Sequence, residues 1–265
     1  MLHDLRSVSK SVVGLVYGIA LAAGKVSSPE AKLYDQFPEH VDLANQPGRD
    51  RLTIHHVLSM TLGLEWDELT VPYGDPRNSE NAMEAAPDRF RFILDRPITD
   101  APGAKWTYCG GATALLGRLI SKGTGDALHD YARRVLFEPL GFGPSKWSVG
   151  SDGEPRSASG LRLLPRDMLK VGEILLAGGS WNGGRLVPDE WVERRLGLLR
   201  RLLTSAPRAP PPPWSRSTMG AATAITGTWG TSRPAQRRNH SIGWEASAGA
   251  GRGCSCSSAS IWSSQ

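Results

Sequence analysis

"HDLRSVSKSVVGLVYGIALAAGKV" (residues 3–26) decides how the rest of the chain is read. Two readings compete for it. Arg6 and Lys10, followed by an apolar run from Val12 to Ala23 that ends in small residues, have the layout of a secretory leader. The same letters place Ser7 three residues ahead of Lys10 on the first turn of an apolar helix, where positions i and i+3 share a face. A serine hydroxyl is a poor nucleophile at neutral pH and needs an adjacent base. A buried lysine, its charged form disfavoured, meets that need. A helix N-terminus at Ser7 also favours developing negative charge. Ser and Lys at this spacing arise by chance about once in a chain of this length, so the stretch alone leaves both readings standing.

Composition narrows the field. With 265 residues and ordinary apolar content the chain is long enough for a real hydrophobic core. No apolar run reaches the ~18 residues a membrane-spanning helix needs, so no span is expected. Cys109, Cys254 and Cys256 are odd in number and badly spaced for a disulfide framework or a zinc site. The net charge of +5 is unevenly placed: residues after Glu193 hold ten Arg, no Lys and one acid, Glu245. Subtracting from 31 basic and 26 acidic residues leaves 21 and 25 in residues 1–193, a net of −4. An Arg-rich end raises the prospect of a nucleic-acid arm. These Arg are scattered among Pro and Gly, however, with no face to share, and no nucleic-acid partner is expected.

Up to Glu193 the pattern is helical. The spacing predicts helices over Val8–Gly24, Asp88–Leu94 and about Ala112–Gly123, and a short turn or helix over Pro29–Phe37. It also predicts a helix carrying Leu52, Ile54, Val57, Leu58 and Leu62 on one stripe, and a regular one N-capped by Asp126 with Leu128, Tyr131, Val135 and Leu136 on one face. "LPRDMLKVGEILLAGG" (164–179) and "PDEWVERRL" (188–196) open with Pro and acids, as helix N-termini do. Trp147–Val149 is the only strand candidate. Residues 194–265 show no sustained period and have the composition of a linker or tail, with Ser, Trp and Cys unusually frequent for that class.

Blocks in the body carry a resemblance. "RSVSKSVVGLVYGIAL" (6–21), "LTIHHVLSMTLGLEWDE" (52–68), "LDRPITDAPGAKWTYCGGATALLGRLISKGTG" (94–125), "LFEPLGF" (136–142) and "SASGLRLLPRDMLKVGEILLAGG" (157–179) resemble, in order, successive blocks of the β-lactamase-related serine hydrolases. That group includes class C β-lactamases, penicillin-binding-protein-like esterases, D-aminopeptidases and 6-aminohexanoate-oligomer hydrolases. "YCGGATALLG" (108–117) is most similar to the esterase and oligoamide-hydrolase branch. The resemblance implies a β-lactamase/transpeptidase-like α/β fold, of which residues 1–193 supply mostly the helical part, with the central antiparallel sheet largely missing. It implies Ser7 as the acylating serine, Lys10 as its partner and Tyr108 as the phenol that shares proton transfer with the lysine. It implies a small ester, amide or β-lactam-like substrate and no metal or cofactor. Members often carry Asn two residues after that tyrosine; Gly110 stands there in this chain, which counts against β-lactam recognition. His55, His56 and Trp66 read as packing residues, Trp66 also as a possible wall of the cleft.

Two family features have no counterpart. Members carry about a small subdomain before the serine, where six residues stand in this chain, and a third motif on a strand whose N–H completes the oxyanion hole. The expected account is an N-terminally truncated chain with a frame-shifted tail. Read one frame away with consistent codons, residues 245–264 convert to a Gly-rich turn entering two apolar strands, which puts a frameshift between Glu193 and Met219. A non-catalytic remnant of the family is therefore the alternative reading, and an Arg-tailed nucleic-acid binder the third. Oligomeric state and the choice between cytoplasm and periplasm are not legible.

Overall fold

A computed structural model describes residues 1–194; the tail and the frameshift expected there lie outside the described residues. Elements follow in chain order. Strand β1 (His3–Asp4) leads through a 3₁₀ turn at Arg6–Val8 into helix α1 (Ser9–Ala22). Helices α2 (Val41–Ala44), α3 (Ile54–Ser59), α4 (Ser79–Ala85), α5 (Arg89–Leu94), α6 (Gly110–Thr124) and α7 (Leu128–Ala132) come next, the last continuing as a π turn over Arg133–Phe137. Strands β2 (Lys146–Trp147) and β3 (Leu161–Leu163), helix α8 (Pro165–Leu176), a small hairpin of β4 (Ser180–Trp181) and β5 (Gly184–Arg185), and a helical stretch over 189–194 complete the described part.

Helix α1 is the axis of the core. Val12, Val13, Leu15, Val16, Tyr17 and Ala20 are all buried, and the helix packs most extensively on α6. A helix apolar nearly all round belongs in a protein interior, and residues 9–22 take that place rather than standing apart as a leader. Two features lock α1 in place. Ser9 Oγ, fully buried, accepts from Leu161 N–H of β3 at 3.2 Å. Trp191 Nε1 donates to the carbonyl of Gly14 at 2.9 Å and its indole stacks on Tyr17 with centroids 6.0 Å apart. Gly18 makes that approach possible, since a Cβ there would lie 2.2 Å from Trp191 Cδ1.

The antiparallel sheet is small: among the described residues its order is β1-β3-β2, with His3 opposite Leu163 and Lys146 opposite Arg162. The strands have two or three residues, too few to display an alternating pattern, so β1 and β3 escape sequence reading. Two helices differ from expectation. The stripe over 52–62 ends early, because Met60 turns left-handed (φ 55°) after Ser59 and stops α3. The helix expected from Asp126 starts at Leu128 behind an extended Ala127; the Asp126 carboxylate pairs with Arg134 instead of capping. Residues 29–37 form no α-helix: Lys32 bridges to Thr53 and a 3₁₀ turn covers Tyr34–Gln36. His56 has the packing role expected of it, its Nδ1 accepting from Thr53 N–H at 3.1 Å in a capping box at the start of α3.

Candidate active site

The chain enters α1 through a sharp elbow. Leu5 N–H donates to Leu161 O at 2.9 Å, holding the elbow against β3, and Arg6 then adopts a left-handed φ of 47°. A non-glycine residue in that region carries backbone strain of a kind that gathers at functional turns. Ser7 follows directly. Of the three serines at 7, 9 and 11, Ser9 is buried and bonded to β3, whereas Ser7 is exposed in the first turn, where helix geometry leaves N–H groups without intrahelical partners.

Lys10 lies one turn on, its side chain only 9% exposed. Its ammonium donates to Ala158 O at 3.1 Å, pairs with Glu68 Oε1 at 3.8 Å, and sits 4.8 Å from the centroid of the Tyr108 ring. Tyr108 is half-buried and is placed by its neighbours: Thr107 N–H donates to Met60 O at 2.9 Å, and Cys109 caps α6 with its sulfur accepting from Ala112 N–H at 3.3 Å. Burial drives the Cys109 thiol far above its ordinary range, so it is a cap and not a nucleophile. Of the three residues the sequence singles out, then, Lys10 and Tyr108 come together through the packing of α1 on α6. Ser7 Oγ makes no hydrogen bond to either among the described residues; the lysine reaches Ala158 and Glu68 instead.

Sequence reading missed two carboxylates at this place. Glu68, 2% exposed, is the acceptor at the centre of the cluster. Its Oε2 accepts from Trp66 Nε1 at 2.9 Å and from Gly110 N–H, at the head of α6, at 2.6 Å. Its Oε1 accepts from the Tyr73 hydroxyl at 2.8 Å and faces Lys10. Glu80, on α4, is buried beside it, and its pKa is pushed up to about 8, first by burial and then by the charge of Glu68, with Glu84 adding to the rise and Lys10 and Arg89 opposing it. Asn78 ties the two segments together: its side chain donates to Glu68 O at 3.2 Å and Val71 O at 2.7 Å and accepts from Glu80 N–H at 3.0 Å. Gly110 is required here, because a Cβ at 110 would lie 1.7 Å from Glu80 Oε2. The Gly-Gly pair heading α6 was the available signal, since two successive glycines opening a helix mark a close approach.

The sequence of the chain matches a known family. A family model described as "Beta-lactamase" matches residues 1–253. The chain belongs to the β-lactamase family. The match runs well past residue 193, where the sequence reading places its boundary. Among curated relatives, the 6-aminohexanoate-dimer hydrolase of Paenarthrobacter ureafaciens is 26% identical over 203 residues, covering 72% of this chain and 50% of the relative. The β-lactamase of Escherichia coli (strain K12) is 26% identical over 163 residues, covering 61% of this chain and 39% of the relative. This β-lactamase-family chain thus spans half or less of the length of these two relatives. A solved penicillin-binding protein from Bacillus halodurans shares the fold, with a TM-score of 0.55 at 19% identity over 74% of this chain and 64% of that one. The β-lactamase/transpeptidase-like architecture expected from the sequence is therefore the fold of the chain, and the described residues present mainly its helices.

Proposed function

We propose that the chain is a serine hydrolase that opens a small ester, amide or β-lactam-like carbonyl through an acyl-enzyme on Ser7. The observation that carries this reading is the Lys10 ammonium over the Tyr108 ring, one helical turn from a serine exposed at a strained elbow. Ser7 Oγ adds to the carbonyl carbon as its proton passes to the Tyr108–Lys10 pair in the form that has given up one proton. The same pair returns a proton to the leaving alcohol or amine as the carbonyl reforms, and water then cleaves the Ser7 ester to release the acid. The Ser7 N–H, at the helix start, would supply a donor to the oxyanion. Amide cleavage draws support from the relative named as a 6-aminohexanoate-dimer hydrolase. The substrate is a small molecule.

One observation favours a second reading, a family member without catalysis: Lys10 is engaged by Ala158 and Glu68 and not by Ser7. A fluorophosphonate probe separates the two. Labelling that maps to Ser7 by peptide mass spectrometry and is abolished in Ser7→Ala supports the hydrolase. Equal labelling of the variant, or none in either protein, establishes the second reading or places the chemistry elsewhere.

A further inference from the structure

Glu68 is a carboxylate with hydrogen-bond donors at three lone-pair directions and an ammonium beside them. An ionised carboxylate offers about four such directions and no proton. Trp66 Nε1 and Gly110 N–H donate to Oε2 and the Tyr73 hydroxyl donates to Oε1, while the Lys10 ammonium pairs with Oε1 by charge at 3.8 Å. These four partners come from the loop before α4, from the head of α6 and from α1, so one buried side chain ties together the segments that bear Lys10 and Tyr108. No hydrophobic residue of the same size would do this, and leaving those donors unpaired in the interior is expensive. The second carboxyl, Glu80, lies in the space that Gly110 leaves open, and its Oε2 has no hydrogen-bond partner among the described residues. The absence of a side chain at 110, where related sequences often carry an amide, is thereby accounted for: the Glu80 carboxyl fills the place.

We propose that Glu68 is the positioning residue of this site, fixing Lys10 of α1 against Tyr108 at the head of α6, with Glu80 as the second carboxyl packed against Gly110. This rests on the reading of Ser7, Lys10 and Tyr108 as the site. Glu68 does not touch the reacting atoms; it acts through Lys10 and through the start of α6. Glu68→Gln keeps the shape of the side chain and, with its NH2 turned to the Tyr73 hydroxyl, can keep the hydrogen bonds, but it removes the charge that pairs with Lys10.

Two measurements on the full chain test the proposal. The first follows nuclear Overhauser contact between the Lys10 ε-methylene and the Tyr108 ring, which needs no activity. The second compares the maximal rate and the half-saturating probe concentration for fluorophosphonate labelling of Ser7. In Glu68→Gln the contact is lost and the maximal rate falls about tenfold or more at an unchanged half-saturating concentration, as expected when reacting groups lose alignment. A retained contact with a wild-type rate overturns the proposal. If the wild-type chain does not label, the hydrolase reading falls, and the Lys10–Tyr108 contact in the two proteins still decides the role of Glu68. If Glu68→Gln does not fold, Tyr73→Phe takes its place, since it removes one donor from a side chain that is 60% exposed. It is expected to weaken the contact and to slow labelling at least threefold; wild-type behaviour in both readouts overturns the proposal.

Discussion

Two carboxyls buried side by side next to a single ammonium cannot both carry charge cheaply, and at Glu80 the proton wins. Its folded pKa of about 8 lies well above the ordinary carboxylate value of 4.5, first because of burial and then because of Glu68, Glu84 adding to the rise against the pull of Lys10 and Arg89. A group with a raised folded pKa favours the folded state below its unfolded value, and this contribution is lost as pH climbs toward the folded one. The chain is therefore expected to lose thermal stability between about pH 5 and pH 8 and to level off above. Glu80→Gln, which cannot ionise, should flatten that slope and leave the variant roughly 3 °C or more above the wild type at pH 8, given that ~1 kcal/mol moves a domain of this size by about 2–4 °C. Melting curves across that range check it; an unchanged slope means that Glu80 does not hold its proton.

At the scale of elements, glycines in helices show how packing overrides propensity. Intrinsically, Gly→Ala inside a helix gains about 0.5–1 kcal/mol. Gly172 of α8 is exposed, and a Cβ there would meet nothing within 4 Å, so Gly172→Ala should show this gain in denaturant unfolding. Gly111 of α6 lies under Trp66, where a Cβ would come 2.7 Å from Cη2 and 3.1 Å from Ile93 Cγ1. Overpacking of a buried aromatic costs about 1–3 kcal/mol, which exceeds the propensity gain, so Gly111→Ala should destabilise. The pair checks itself in one set of urea curves, since the same substitution must act with opposite signs in two helices.

For the whole described molecule the decisive contact joins its two ends. Trp191 is 7% exposed and rests on Tyr17, Gly18 and the Gly14 carbonyl. Trp191→Ala is expected to cost about 3–5 kcal/mol, the range for removing a buried large aromatic, read as a lowered melting temperature with the fold otherwise intact. The apolar run of α1 and the starts of α5 and α8 were legible in the sequence because each is a local pattern. The end of α3 at Met60 was not, since nothing in a methionine announces a left-handed backbone, and strands of two or three residues cannot show a period. For the proposed site, Ser7, Lys10 and Tyr108 were reachable through ordered blocks, whereas no local pattern singles out Glu68 and Glu80. Their burial depends on Asn78 and on the missing Cβ of Gly110, which are relations in space and leave no spacing along the chain.

The indole at 191 also sets an order of events during synthesis. Helix α1 leaves the ribosome well before the side chain that covers its Gly14–Gly18 face, which is separated from Gly14 by 177 positions. Until that distant segment has emerged, a strongly apolar helix has one side uncovered, and contacts of such long sequence separation are slow to close. While those intervening residues are made, the helix that carries Lys10 is open to other surfaces, a window in which chaperones, and not the native contact with Trp191, must shield that face.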